Sequence, residues 1–133
     1  MSRIAIEVPG LHHAGAPIPQ ASKVGSLLIS SGINGMDTRT GTVPESLEQQ
    51  VGLVFENVRL IMDQAAGSTD DIVKCTFFVR DRSARQHIDV HWNDMFPDEA
   101  SRPARHTLTV DLHAPLLIQC EITAHIEGPH HDH

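Results

Sequence analysis

Residues 46–66 read SLEQQVGLVFENVRLIMDQAA, and within them Leu47, Val51, Val54, Val58, Ile61 and Ala65 step by four, three, four, three and four. That spacing places all six on one stripe of an α-helix. Pro44 just before it and Gly67 just after it are the punctuation such a helix needs. Immediately downstream, residues 71–80 contain Ile72-Val73-Lys74-Cys75-Thr76-Phe77-Phe78-Val79, a β-branched and aromatic run that reads as a strand. A long amphipathic helix delivering the chain into a strand sets the class as mixed α and β.

Working outward, residues 83–96 predict a second helix, with Ile88, Trp92 and Met95 turned inward and Pro97 ending it. Strands are expected at 4–8, 26–32, 106–110 and 116–126. Pro9, Gly10, Gly15, Pro17 and Pro19 break up the stretch after the first of these, Lys23-Val24-Gly25 reads as a hairpin-like turn, and Asn34-Gly35 and Thr40-Gly41 are turn signals. The expected order is β, β, α, β, α, β, β. Residues 1–127 form one domain, and the His-rich end, 128–133, is expected to be a flexible tail. Two helices cover one face of a sheet at most, yet 72–79 and 116–126 carry apolar residues on both faces in places. In so short a chain a partner subunit is the economical cover for the second face.

The 133 residues carry a formal charge of −7 at neutral pH, with no clustered basic stretch, which disfavours nucleic acid as a partner. An anionic small molecule stays compatible with one local basic site. No apolar run approaches the roughly 18 residues of a membrane span, and the amphipathic helix lacks a basic polar face, so no membrane partner is expected. The first residues lack the apolar stretch of a signal peptide, and the cytoplasm is the expected compartment. Cys75 and Cys120 lie in apolar strand runs; a disulfide is possible, but two separate core thiols are the favoured reading. No C-x-x-C, G-x-S-x-G, P-loop or dinucleotide motif occurs. His87 and His91 have a spacing that can share a metal, but the glutamate of H-E-x-x-H and an evident third ligand are missing. No metal is expected there.

Four stretches carry a family resemblance: Pro19-Gln20-Ala21 with Val24-Gly25 and Leu28-Ile29-Ser30-Ser31-Gly32; Glu56-Asn57 with Ala65-Ala66-Gly67; Asp71-Ile72-Val73-Lys74-Cys75-Thr76 with Val79-Arg80-Asp81; and Arg102-Pro103-Ala104-Arg105 with Glu121-Ile122 and Ala124. In this order and spacing they resemble the RidA/YjgF family of enamine/imine deaminases, also called endoribonuclease L-PSP. The resemblance implies a chorismate-mutase-like α+β fold, a mixed sheet with two helices on one face. It also implies assembly as a homotrimer with ligand pockets between subunits, and cofactor-free chemistry.

By the same resemblance, Arg105 grips the carboxylate of a small substrate. A planar fork of guanidinium donors matches both carboxylate oxygens. Glu121, with one residue inserted in the loop before it, corresponds to the acid that places the attacking water; the alternative register puts Gln119 there, and both share one strand face. Ser31, Gly32 and Ile33 are expected to line the pocket, and Thr107 occupies the place where many relatives carry cysteine. Ile18 stands where many active relatives have a tyrosine, and the chain contains none. His106 faces either the pocket or, by strand alternation, away from Arg105. The implied function is hydrolysis of imines or enamines bearing a carboxylate, of the 2-iminopropanoate or aminomuconate kind, in the control of reactive metabolites. The alternative is a non-catalytic trimeric module that binds small carboxylates or a protein partner. A ribonuclease role is disfavoured by the acidic charge.

Overall fold

A computed structural model describes residues 2–127; the tail 128–133 lies outside the described residues. The elements run β1 (Ile4–Ile6), β2 (Ala21–Val24), β3 (Leu27–Ser30), β4 (Ile33–Asn34), α1 (Leu47–Gln64), β5 (Ile72–Val79), α2 (Ala84–Met95), β6 (Ala104–Thr109) and β7 (Ile118–His125). Two strands go beyond the sequence reading. The residues read as a turn at Lys23 and Val24 belong to β2, with the reversal one step later at Gly25, where φ is +58°. Asn34, read as a turn residue, pairs with Gln119 in β4. At the start of the chain the expected strand stops at Ile6, although Val8 is buried.

All strands join one sheet in the order β1-β2-β3-β7-β5-β6, with β4 also on β7. Every pairing is antiparallel except β5 with β6, which run parallel and are joined by α2. Such a crossover is what a parallel pair requires. It stacks α2 over β5 and β6.

Alternation along the central strands decides the layers. Cys75, Phe77 and Val79 of β5 and Ile118, Cys120, Ile122 and Ala124 of β7 are buried on one face. Val51, Val54, Val58, Ile61 and Met62 of α1 and Ile88, Trp92 and Met95 of α2 are buried in the same core cluster. Burial of each such large side chain stabilises the fold by about 1.5–3 kcal/mol. The opposite face carries Lys74, Thr76 and Phe78 of β5 and Gln119, Glu121 and Thr123 of β7. Besides Phe78, the apolar residues Leu27 and Ile29 of β3 lie on this face and stay 47% and 52% exposed. The expectation of apolar residues on both faces of 72–79 and 116–126 therefore holds in β5 at Phe78 and fails in β7, whose second face carries Gln119, Glu121 and Thr123. Val73, which the run of apolar letters placed in the strand interior, sits at a register shift and is exposed.

Helix α1 begins at Ser46, whose side chain accepts from the Gln49 N–H. It closes with Ala66 at φ +59°, the Ala66 N–H donating to Asp63 and the Gly67 N–H donating to Met62, the bonding pattern of a Schellman ending. The residue in the left-handed conformation is thus an alanine. Gly67 is needed for a different reason: a Cβ there would fall 2.9 Å from the Ile126 side chain.

One polar side chain crosses the core. Gln50, fully buried, donates to the carbonyls of Pro44 (2.8 Å) and Pro115 (2.9 Å) and accepts from the Leu117 N–H (2.9 Å). It ties the approach to α1 to the approach to β7. Asn57 likewise donates to the carbonyls of Asn34 and Met36. Removing Gln50 takes the partner from three backbone groups and leaves a cavity in the core, so Gln50→Ala is expected to lower unfolding free energy by about 2 kcal/mol; urea denaturation of the two proteins measures it.

Candidate functional site

Arg105 lies on β6 opposite Cys75 of β5, and Thr107 lies opposite Phe77. Neighbours across a ladder share a face, so both side chains point to the helix-covered side. There the Arg105 guanidinium sits 5.2 Å from the Trp92 ring centre and 5.7 Å from that of Phe77. Its Nη1 donates to Asp89 Oδ1 of α2 at 2.7 Å, and its Nε reaches Thr107 Oγ1 at 3.5 Å. Trp92 and Phe77 are in turn held edge to face at 6.3 Å. The result is an arginine backed by two rings, with its edge turned toward a cavity of about 390 Å³ lined by Arg85, Asp89, Arg105, His106 and Thr107.

Glu121 lies on the other face. Its ladder partner is Thr76, whose partner on the other side is His106, so Glu121, Thr76 and His106 form one row across the uncovered face. This settles which way His106 points: away from Arg105, although its place on an edge strand leaves it at the cavity's rim. Within one chain Arg105 and Glu121 are therefore not brought together.

The segment from Ile18 to Ile33 forms a second locus. The Ser31 hydroxyl donates to the Pro19 carbonyl at 2.7 Å. The Gly32 carbonyl accepts from His13 Nε2 at 2.9 Å, while His13 Nδ1 accepts from the Gln20 amide at 3.3 Å, an arrangement that fixes the Nε2–H tautomer. A Cβ on Gly32 would lie 2.5 Å from the Gln119 side chain, so glycine is what lets Gln119 pack there. Gln119 also donates to Asn34 Oδ1 at 2.9 Å. Of the two candidate residues on β7, Gln119 is thus the one against Gly32, and Glu121 stands one pleat further along. Ile18 is half-exposed, whereas Ile33 is fully buried among the core residues and offers no surface. Strands β7 and β5 separate this locus from β6, a lateral distance of about 14 Å at the usual strand spacing. A cavity of about 380 Å³ adjoins it, lined by His12, His13, Met36, His113, Pro115 and Gln119 among others.

Other features carry less chemistry. A cavity of about 550 Å³ lies between the loop at Asp37 and helix α1, but its cation, Arg39, is tied up by two bonds to the Asp37 carboxylate. Those bonds hold the Asp37 carboxyl below its ordinary range. Among the described residues no group of three or more His, Cys, Asp or Glu is placed to hold a metal. His91 stacks on Phe55 at 5.4 Å. No helix among the described residues is long and apolar enough to cross a membrane.

The sequence reading missed Asp89 and the ring pair behind Arg105. Ile88 and Trp92 marked the inward stripe of α2, and Asp89 follows Ile88 on its shoulder. A parallel crossover swings that shoulder toward β6, and this is the signal that points to it.

A single mixed sheet with two helices on one face, an edge-strand arginine held against the crossover helix and a glycine packed against β7 define an α+β class. The chain belongs to the RidA/YjgF family: the family model described as endoribonuclease L-PSP matches residues 12–127. It is 33% identical over 112 residues to a RutC family protein of Aquifex aeolicus, covering 80% of this chain and 89% of that one. It is also 33% identical over 109 residues to the 2-iminobutanoate/2-iminopropanoate deaminase of Salmonella typhimurium, covering 81% and 84%. Among solved structures it is similar to RidA from an Antarctic Psychrobacter, with TM-score 0.83, 27% identity and coverage of 92% and 99%. It is similar as well to Escherichia coli TdcF with bound serine, with TM-score 0.82, 27% identity and coverage of 92% and 98%.

Cys75 and Cys120 are free and buried, in agreement with the reading of separate thiols. Burial, with the Cys75 thiol beside it, pushes the Cys120 thiol well up from its ordinary range. Because the thiolate is the reactive form, Cys120 is no nucleophile. The native protein is expected to resist a thiol reagent at neutral pH and to release two reactive thiols only on denaturation, which a colorimetric thiol assay measures.

Proposed function

We propose that this protein is a cofactor-free hydrolytic deaminase of reactive imines and enamines that carry a carboxylate, such as 2-iminopropanoate or an aminomuconate. The observation that carries the reading is Arg105: a partly buried guanidinium, 21% exposed, set on two aromatic rings at the wall of a small cavity. Such a group binds a carboxylate through paired, charge-assisted donors. The deaminases among the relatives act on substrates of this kind by name, and the TdcF structure holds serine, another small carboxylate. Water adds to the electrophilic C=N carbon, and the carbinolamine collapses to the 2-oxo acid and ammonia. Modest acid/base help suffices for such a reaction.

In this proposal the working unit is a homotrimer in the cytoplasm, and the substrate pocket lies between subunits. The support is the division of groups in one chain: Arg105 and Thr107 face the helix side, whereas Glu121 and Gln119 face the open side, with Ser31 and Gly32 separated from β6 by β7 and β5. A neighbouring sheet packed on the open face, where Leu27 and Ile29 are exposed, covers apolar surface and completes the site. Glu121 or Gln119 then holds the attacking water. The half-exposed Ile18, in a chain with no tyrosine, favours a second reading, a trimeric module that binds small carboxylates or a protein partner without turnover. Net charge of −7 weighs against nucleic acid as the ligand.

Freshly generated 2-iminopropanoate separates these readings. The wild type is expected to release pyruvate well above the uncatalysed rate. Arg105→Ala should lose about 2–5 kcal/mol of ligand binding, hence about thirty-fold or more in kcat/KM. Background rate with the wild type supports the binding module for this substrate.

A further inference from the structure

On the deaminase reading, Arg105 takes the substrate's carboxylate, and the substrate's nitrogen needs a partner too. The only acid bonded to Arg105 among the described residues is Asp89, at 2.7 Å; Glu121 points to the opposite face of the sheet. Asp89 lies on the rigid crossover helix α2 and is 58% exposed, opening into the same cavity as Arg105. Its Oδ1 is the atom that meets Arg105, and among the described residues its Oδ2 makes no hydrogen bond. On the arginine, Nη1 and Nε are engaged and Nη2 is free. The rings of Trp92 and Phe77 stand against the guanidinium, so a ligand approaches from the cavity that Arg105 and Asp89 both line.

We propose that Arg105 and Asp89 form a zwitterion site, and that Asp89 is a further catalytic residue that binds the nitrogen of a protonated 2-imino acid. In such a substrate the carboxylate and the C=NH2+ group sit on adjacent carbons. A cation and an anion in direct contact, as Arg105 and Asp89 are with Nη1 and Oδ1 2.7 Å apart, complement such a neighbouring charge pair. The carboxylate bonds Arg105 and the iminium N–H bonds Asp89.

The step balances with these groups alone. Water oxygen forms a bond to the iminium carbon, the C=N π pair moves to nitrogen, and one water proton passes to the Asp89 carboxylate. Protonated Asp89 returns that proton to the amine nitrogen of the carbinolamine. The C–N bond then breaks with its pair on nitrogen, the C–O bond becomes C=O, and the hydroxyl proton goes by way of Asp89 to the departing ammonia. One water and one iminium carboxylate yield one 2-oxo carboxylate and one ammonium ion, and no oxidant or reductant takes part.

Asp89→Asn tests this with two ligands and one substrate. Pyruvate has the carboxylate and no cationic nitrogen, while L-alanine has both. In titrations followed by calorimetry or NMR, the variant should bind pyruvate at least as tightly as the wild type, since a competing anion beside Arg105 is gone. It should bind L-alanine about tenfold or more weakly, as a charged hydrogen bond is lost. With 2-iminopropanoate its kcat should fall about 100-fold, and Asp89→Glu should keep a larger part of the rate. Tighter binding of both ligands, or an unchanged kcat, would make Asp89 a mere competitor for Arg105 and overturn the proposal. A wild type without turnover defeats the deaminase reading separately; the inversion of ligand preference still decides whether the pair is a zwitterion site.

Discussion

Strand alternation at β5 governs this molecule. β5 lies between β6 and β7, and each residue along it assigns its two ladder partners to one side of the sheet. Cys75 and Phe77 commit Arg105 and Thr107 to the helix layer, and Thr76 commits His106 and Glu121 to the open face. The same alternation supplies the core, since the side that takes Arg105 is also the side on which Phe77, Val79, Ile118, Cys120 and Ile122 are buried. A register slip of one residue would expose that core. The placement of the arginine is therefore as firmly held as the fold itself.

Two kinds of contact hold the guanidinium, and their sizes differ in meaning. The ion pair with Asp89 is short, but the acid is more than half exposed, and pairs so screened by solvent are worth about 0–1 kcal/mol. The contacts with Trp92 and Phe77 are drier. Trp92 is buried, and a cation over partly desolvated rings gains about 0.5–2 kcal/mol. The rings fix where the guanidinium sits, and the weaker, wetter pair with Asp89 leaves both groups open to a ligand. An edge strand such as β6 suits this work, because among the described residues no strand pairs with its far side.

Much of this was legible in the sequence, for definable reasons. Helix α1 is long enough for its 3.6-residue period to show, and every residue assigned to its inward stripe is buried except Leu47, which packs at the core's margin. β5 and β7 stood out because their inward residues are apolar. β2 and β4 did not, since Ala21-Ser22-Lys23-Val24 is short and half polar and β4 has two residues. Arg105 and Glu121 were found through the resemblance. Their opposite faces were not, because facing depends on a register between segments far apart in sequence. Asp89 escaped for the same reason: its meaning comes from the angle at which α2 crosses β6.

Arg105 on one face and Glu121 on the other fit the shared site proposed above, with the arginine from one subunit and the acid from the next. The most direct test is to prepare Arg105→Ala and Glu121→Gln proteins, unfold and refold them together, and measure hydrolysis of 2-iminopropanoate against each refolded alone. Two inactive parents and a mixture that regains activity are expected, since mixed assemblies contain sites with both groups intact. A mixture as inactive as its parents, with mixed assemblies verified by mass spectrometry, would contradict the shared site.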